Sequence, residues 1–146
     1  MLKKHIIQRA FQQQGIEYVI SFFDHWLSRS EYKNEIVDIT DENLERYQKN
    51  RVDLFKKLVN KNIYMMYRNG RFKKLGQSNI EKIIDCIAQS DDDYEFRFYF
   101  EESRVCLILG FDYTDRIIDH SESLSIESLK SLIPSDYSIL EVNKFK

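Results

Sequence analysis

The stretch YEFRFYFEESRVCLILGF, residues 94–111, decides the fold class of this chain. Its first half alternates aromatic residues with mainly charged ones, and the aromatic positions are Tyr94, Phe96, Phe98 and Phe100. An alternation of period two is typical of a β-strand with one buried face. Residues 101–104 predict a tight turn, and VCLILGF at 105–111 predicts a second strand that is apolar on both faces and central in its sheet. The sequence therefore predicts an antiparallel strand pair here.

Further strands are predicted toward the C-terminus. A third strand is expected around residues 116–119, and a last strand over 137–142, after Pro134. Between them, a short helix is predicted over residues 126–133, with Ser125 as its N-cap. Together with the first strand pair, these segments predict an antiparallel sheet of about four strands.

The N-terminal half has the spacing of helices. Apolar residues separated by three and four positions predict helix over residues 3–28, and Gly15 leaves open whether this is one helix or two. A second helix is predicted from its N-cap Thr40 to a stop at 69–70. The segment NKN at 60–62 leaves open a break within it.

A third helix is predicted over residues 79–89, with Ser78 as N-cap. The whole chain, 1–146, is expected to be one domain, because its length suits a single core. Residues 1–89 are predicted to be mainly helical, and residues 90–146 mainly strands with one short helix. The expected fold class is α+β, with N-terminal helices packed on a C-terminal antiparallel sheet.

Composition limits the class of protein. Hydrophobic residues make up 42% of the chain and charged residues 32%, which is typical of a folded globular protein. We find no signal peptide at the N-terminus and no stretch of about 18 apolar residues, so a cytoplasmic protein without membrane contact is expected. Cys86 and Cys106 lie within apolar patterns and are predicted to be reduced core residues.

Charge is distributed unevenly along the chain. Residues 46–74 contain ten basic residues and one acidic residue, whereas residues 75–146 contain seven basic and fifteen acidic residues. A chain of net charge −2 therefore combines a basic central helix with an acidic C-terminal half. Within the basic helix, Arg51 alone falls on the apolar face, so it either extends toward solvent or pairs with a buried acid.

No motif in the sequence supports catalysis. The cluster Asp112, Asp115, Asp119 and His120 contains residue types that ligate metals, but strand alternation would separate their side chains. His25 beside Asp24 is not a catalytic dyad, because adjacent helical positions do not face each other. Nucleotide-binding and zinc-finger motifs are absent. We therefore predict a protein that is not an enzyme, without cofactor, metal or catalytic residues.

The basic helix raises nucleic-acid binding as an alternative function. Lysine and arginine side chains on one helix face could hold a phosphate backbone. The acidic remainder of the chain and the lack of a base-reading motif count against it. The residues that would bind are Arg46, Lys49, Lys56, Lys57, Lys61 and Arg68.

The acidic half suggests recognition of a basic protein. Complementary charge accelerates encounter between two proteins and fixes their relative orientation. Acidic residues concentrate in SDDDYEF at 90–96, in FEES at 100–103 and in the aspartates that follow residue 111. The predicted partner-binding residues are Asp91, Asp92, Asp93, Tyr94, Glu95, Tyr99, Glu101, Glu102, Asp112 and Asp115.

In this general character the chain resembles bacterial toxin-immunity proteins, such as those paired with contact-dependent growth-inhibition toxins. The resemblance extends over the whole length and involves no diagnostic motif. It implies an antitoxin that neutralises a basic toxin domain, of nuclease type, by covering its active site. An inhibitor of a host protein encoded by a phage, or another regulatory protein, would have the same character.

Overall fold

The computed structural model describes residues 15–67, 69–90 and 95–145. Its strands are β1 (Gly15–Ser21), β2 (Ile63–Met66), β3 (Phe72–Lys74), β4 (Phe96–Phe100), β5 (Val105–Leu109), β6 (Thr114–Asp119) and β7 (Ser138–Phe145). Its helices are α1 (Arg29–Tyr32), which continues as a π-helical turn (Lys33–Val37), then α2 (Asp41–Leu58), α3 (Gln77–Ala88) and α4 (Ile126–Leu132). A short 3₁₀ turn occupies Phe111–Tyr113.

The described strands form one antiparallel sheet in the order β3-β2-β4-β5-β6-β1-β7. The predicted arrangement, with helices first and a sheet of about four strands after them, is therefore wrong. Three of the strands, β1, β2 and β3, come from the half of the chain that was expected to be mainly helical. Helices and strands are interspersed along an α+β chain.

The N-terminal helix prediction failed because β1 is buried on both faces. Tyr18 and Ile20 point into the main core, while Val19 lies on the other face of the sheet and is also buried. A short apolar run such as residues 18–20 fits a helix face and an interior strand equally well. β1 lies between β6 and β7, so it is an interior strand. Residues 3–14 of the predicted helix lie outside the described residues.

The second predicted helix is too long by eleven residues. Thr40 caps α2 as expected, since its Oγ1 accepts a hydrogen bond from the Asn43 amide at 3.2 Å. The helix ends at Leu58, before the NKN segment, and the chain then enters β2. Gly70, with φ of 79°, is in the turn of the β2–β3 hairpin and does not end a helix. An Asn-Gly pair between two short runs is a hairpin signal, which fits this turn.

The remaining elements are close to their predicted positions. β4 and β5 form the expected antiparallel pair, and all five residues of β5 are buried at the centre of the sheet. Ser125 caps α4, accepting a hydrogen bond from the Ser128 amide at 3.1 Å. α3 begins two residues earlier than expected, after Gly76, so Ser78 is not its N-cap.

The main core lies between the sheet and its helices. Phe96, Phe98 and Phe100 of β4 all face it, as their alternation predicts. Phe55 of α2 packs on this row, with its ring centroid 4.7 Å from that of Phe98. α3 and α4 contribute apolar side chains to the same core, which fixes the helices on one face of the sheet.

The opposite face of the sheet has a smaller apolar cluster, made by Tyr64, Tyr99, Cys106, Ile108 and Ile118. Cys106 is fully buried there, and burial raises the pKa of its thiol. Cys86 on α3 is exposed, so the prediction that both cysteines belong to the core is wrong for this residue. Both cysteines are free thiols.

The two edges of the described sheet carry features that oppose pairing with another strand. β3 has only three residues, and Lys73 and Lys74 are exposed on it. β7 contains a bulge at Leu140, where its register with β1 shifts between Val19 and Ile20. Lysines, short strands and bulges are the usual protections of sheet edges. Among the described residues, no helix is both long and apolar enough to cross a membrane.

Candidate protein-interaction surface

Large apolar side chains are exposed at the end of the sheet where β1 leaves it. Trp26 lies in the loop that follows β1, and 54% of its surface is accessible to solvent. Tyr32 of α1 is also exposed. The nearby 3₁₀ turn exposes Phe111, at 46%. Exposed aromatic residues that occur together mark interaction sites more often than single exposed apolar residues do.

Carboxylates accompany these aromatic residues. Asp24 is next but one to Trp26, Glu31 precedes Tyr32, and Asp112 follows Phe111. We call this set the aromatic–acidic surface; it consists of Asp24, Trp26, Glu31, Tyr32, Phe111 and Asp112.

Hydrogen bonds join the loop to α1. Ser28 is the N-cap of α1, and its Oγ accepts from the Glu31 amide at 3.3 Å while Glu31 Oε1 accepts from the Ser28 amide at 3.1 Å. The second oxygen of Glu31 lies 2.6 Å from His25 Nε2. The other ring nitrogen, His25 Nδ1, lies 2.7 Å from Asp24 Oδ1. His25 therefore bridges a carboxylate of the loop and a carboxylate of the helix.

The electrostatics of this bridge agree with its geometry. The hydrogen bonds that the His25 ring donates to Asp24 and then to Glu31 raise the pKa of His25 above its ordinary value of 6.5. The hydrogen bond with His25, followed by those with Ser28, lowers the pKa of Glu31 to about 2. The pKa of Asp24 is lowered by the same histidine. Each charged form stabilises the other, although exposure to water and salt weakens the effect.

The 3₁₀ turn is held against α1 in an unusual backbone conformation. Asp112 and Tyr113 have φ of 58° and 53°, the left-handed region that residues with a Cβ seldom adopt. The Tyr32 hydroxyl donates a hydrogen bond to Asp112 Oδ1 at 2.8 Å. This contact ties the turn to α1, so the exposed side chains of the loop, the helix and the turn lie on connected segments.

A buried ion pair holds the start of the 3₁₀ turn in place. Arg51 of α2 donates two hydrogen bonds to Asp115 of β6, from Nη2 to Oδ1 at 2.6 Å and from Nε to Oδ2 at 3.2 Å. Arg51 Nη2 also donates to the carbonyl of Gly110 at 2.7 Å, and the Gly110 amide donates to Asp115 Oδ1 at 3.0 Å. Both backbone polar groups of Gly110, the residue just before the turn, are therefore hydrogen-bonded.

Two further contacts complete this buried network. The Tyr137 hydroxyl donates to Asp115 Oδ2 at 2.7 Å, and burial raises its pKa well above the ordinary value of 10, so it stays protonated. The Arg51 guanidinium lies over the Tyr113 ring at 4.8 Å from its centroid. Arg51 and Asp115 are both fully buried, so of the two alternatives for Arg51, pairing with a buried acid is the correct one.

Stacked aromatic rings anchor the base of the loop. Phe22, the first residue after β1, stacks on Tyr47 of α2 and on Tyr137, each with centroids 4.3 Å apart. Phe23 meets Tyr47 edge-on at 5.9 Å. The start of the loop is therefore fixed in the core, and only the part that includes Trp26 projects outward.

The structure does not bring the predicted acidic residues that it describes together on one surface. Asp91, Asp92, Asp93 and Tyr94 lie outside the described residues. Glu95 pairs with Arg97 at 3.3 Å and precedes β4, whereas Glu101 and Glu102 follow its other end, roughly 20 Å away for a strand of this length. Of the rest, Tyr99 is buried, Asp112 belongs to the aromatic–acidic surface, and Asp115 is in the core.

Glu101 and Glu102 have partners within the chain. The Tyr64 hydroxyl lies 3.5 Å from a Glu101 oxygen, and Asn62 Nδ2 donates to Glu102 at 2.9 Å. The Glu102 carboxylate therefore helps to position the connection between α2 and β2, whereas the Glu101 carboxylate lies beside β2 itself. Asp115 cannot contact a partner at all, because its carboxylate is enclosed by Arg51 and Tyr137.

Of the basic residues predicted to bind nucleic acid, those that the structure describes lie on α2 and in the segment that follows it. Arg46 and Lys49 lie in the first half of α2, and Arg46 is 3.6 Å from Asp136. Lys56 and Lys57 lie in its last turn and are exposed, while Lys61 follows the helix. Arg68 lies outside the described residues. The continuous helix on which these residues were expected to share a face ends at Leu58.

The candidate metal ligands, which are Asp112, Asp115, Asp119 and His120, do not converge on one point, and each makes other contacts. Asp119 is buried and accepts hydrogen bonds from the amides of Ser121 and Leu124, which shape the loop before α4. His120 Nε2 lies 3.3 Å from Cys106 Sγ. Across the described ranges, no group of three or more His, Cys, Asp or Glu side chains is placed to hold a metal ion.

A cavity of about 560 Å³ opens between α4 and the start of β7. Ile126, Ile133 and Ile139 line it, and Lys130 is the charged residue among its described lining. It offers few groups that could orient a ligand, so the aromatic–acidic surface is the stronger candidate site.

Sequence reasoning missed Trp26, Tyr32 and Phe111. The predicted helix over residues 3–28 placed Trp26 on its apolar face, but the described part of that segment, residues 15–28, is not helical. A local signal was available, because Ser28-Arg29-Ser30-Glu31 has the Ser-x-x-Glu pattern of a capping box and indicates that a helix starts after Ser28. A new helix start there places Trp26 in a loop.

Comparison with protein-family models, curated protein sequences and solved structures found no match.

Proposed function

We propose that this chain is a non-enzymatic inhibitor that binds a basic protein through the aromatic–acidic surface. The single observation that carries the proposal is the joint exposure of Trp26, Tyr32 and Phe111 beside three carboxylates on segments that are tied together. Tryptophan and tyrosine are the residues most often found at the energetic centres of protein interfaces.

The charge around this surface supports a basic partner. Residues 22–45 contain seven acidic and two basic residues. Asp41 and Glu42 are exposed in the first turn of α2, so the negative charge continues beyond the surface itself. A field of one sign attracts an oppositely charged protein and accelerates association at low ionic strength.

The network beneath the surface supports tight binding. Arg51, Asp115 and Tyr137 hold the turn that displays Phe111, and stacked rings hold the loop that displays Trp26. A surface that is ordered before binding loses less conformational entropy when the complex forms. Inhibition would then be steric: the bound chain covers the partner's basic substrate cleft, and no bond is made or broken.

An immunity protein that neutralises a basic toxin domain is the particular role we favour, because toxic nucleases need basic clefts to hold phosphates. An inhibitor of a host protein encoded by a phage would use the same surface on a different partner. A neighbouring gene for a large secreted protein with a basic C-terminal domain supports the immunity role. A set of metabolic enzymes in that position contradicts it.

The direct test measures binding of the purified basic domain to variants of this chain. We expect Trp26→Ala and Phe111→Ala each to weaken affinity by about 30-fold, which corresponds to about 2 kcal/mol for a central aromatic residue. The matched controls are Ile126→Ala and Val142→Ala, because both residues are large, apolar and similarly exposed but lie elsewhere. Equal losses in all four variants, or none in the first two, would contradict the proposed surface.

Nucleic-acid binding is the alternative, and it predicts a different result. Exposed Lys56 and Lys57 would then hold phosphates, and affinity for single-stranded RNA of about 1 µM or tighter at physiological salt would fall steeply as salt is raised. Loss of that binding in Lys56→Glu/Lys57→Glu, with Trp26→Ala unaffected, would favour this alternative over protein recognition.

A further inference from the structure

The bridge made by His25 requires a doubly protonated ring. Each of its nitrogens lies within hydrogen-bonding distance of a carboxylate oxygen, at 2.7 Å to Asp24 and 2.6 Å to Glu31. Carboxylates accept hydrogen bonds and donate none, so both ring nitrogens must carry a proton. A neutral imidazole has one N–H, and its bare nitrogen would face a carboxylate lone pair. The arrangement is therefore specific to the imidazolium ion.

We propose that His25 is a pH-dependent clasp that holds the Trp26 loop against α1 while its ring is protonated, so that loss of the proton releases the Trp26 part of the aromatic–acidic surface. The effect on partner binding rests on the proposed function. The clasp itself is a property of the free protein and does not depend on any partner.

Two titratable groups face the His25 ring, one from each element that it joins. Asp24 belongs to its own loop, and Glu31 belongs to α1. The other charged side chains of α1, of its π-helical continuation and of the packed turn are Arg29, Lys33, Glu35 and Asp112, and within the described part of the chain none of them forms an ion pair with the ring. Both neighbours of the ring are thus acidic, and both favour its charged form.

The sign of the pH effect follows from these shifts. The pKa of His25 is raised above 6.5, so its stabilising effect is complete below pH 6.5 and is lost as the pH rises through the higher value in the folded protein. The pKa of Glu31 is lowered from 4.5 to about 2, so its contribution is complete above pH 4.5 and is lost as the pH falls toward 2. The clasp is therefore fully closed between pH 4.5 and 6.5.

Trp26 provides a direct probe, since it is the single tryptophan of the chain and follows His25. Its indole N–H gives one cross-peak in a ¹H–¹⁵N spectrum of the free protein, and its position can be followed from pH 5 to pH 9. We expect a titration step with a midpoint above 6.5 in the wild type. His25→Asn should remove the step. Glu31→Gln should lower the midpoint, because an amide keeps the cap on Ser28 but gives the ring no negative charge.

His120→Asn is the matched control. His120 follows the far end of β6, roughly 20 Å along the strand from the end that adjoins the Trp26 loop, so its replacement should leave the indole step unchanged. A step that persists in His25→Asn, a wild-type midpoint at or below 6.5, or an unshifted midpoint in Glu31→Gln would each overturn the clasp. A normal indole titration together with failure of Trp26→Ala to affect binding would instead contradict the proposed function and leave the clasp intact.

Discussion

Asp115→Asn should destabilise the protein strongly, because it leaves a buried arginine without its counter-ion. Arg51 and Asp115 are both fully inaccessible, and Asp115 accepts four hydrogen bonds, from Arg51 Nε and Nη2, the Gly110 amide and the Tyr137 hydroxyl. An amide can replace only part of this set, since its nitrogen would face the Nε–H donor of Arg51. Removing one partner of a buried ion pair reduces the free energy of unfolding by about 3–5 kcal/mol.

Urea unfolding followed by far-ultraviolet circular dichroism measures this loss. With a slope of about 2 kcal/mol per molar urea, the midpoint should fall by about 2 M. Asp136→Asn is the matched control, because Asp136 is an exposed partner of Arg46 at 3.6 Å and its loss should change stability by less than about 1 kcal/mol. A loss below about 1 kcal/mol in Asp115→Asn would refute the role of the buried pair. So would equal losses in both variants.

Two further predictions concern single positions. Gly110→Ala should destabilise the protein by more than Gly76→Ala does. A Cβ at Gly110 would lie 2.5 Å from the Thr114 carbonyl oxygen, whereas nothing lies within 4 Å of a Cβ at Gly76. Thermal unfolding compares the two variants, and equal melting temperatures would contradict the close approach at Gly110. Cys86 should react with a thiol reagent in the native protein and Cys106 only after unfolding, since Cys106 is buried and its pKa is raised. A colorimetric titration of the native protein in which both thiols react equally fast would show that the apolar cluster around Cys106 is open to solvent.

The sequence predicted best where periodicity and local signals agreed. β4 alternates aromatic and polar residues, and α4 has Ser125 as its cap, so both elements could be placed to within about two residues. The prediction failed at β1 for a physical reason: residues 18–20 are apolar and buried on both faces of the sheet, and such a run matches a helix face as well as an interior strand.

The candidate surface was harder to predict than the sheet. In the sequence, Asp115 does not differ from the other acidic residues. It becomes a core residue only because folding brings it to Arg51, which lies sixty-four positions earlier in the chain. For Trp26 the error was in the opposite direction, because its apolar side chain was predicted to be buried and is exposed in a loop. Charge counts alone indicated a basic partner but could not show which carboxylates remain free to meet one.

The protected edges of the sheet have a consequence for how this chain can be used in a cell. A chain can be present at high concentration without aggregating only if its sheet edges do not pair with other copies of itself. Lys73 and Lys74 at one border and the kink at Leu140 at the other discourage the backbone from templating an additional strand. At the described edges, these features disfavour both the addition of a partner's strand and edge-to-edge aggregation at high concentration.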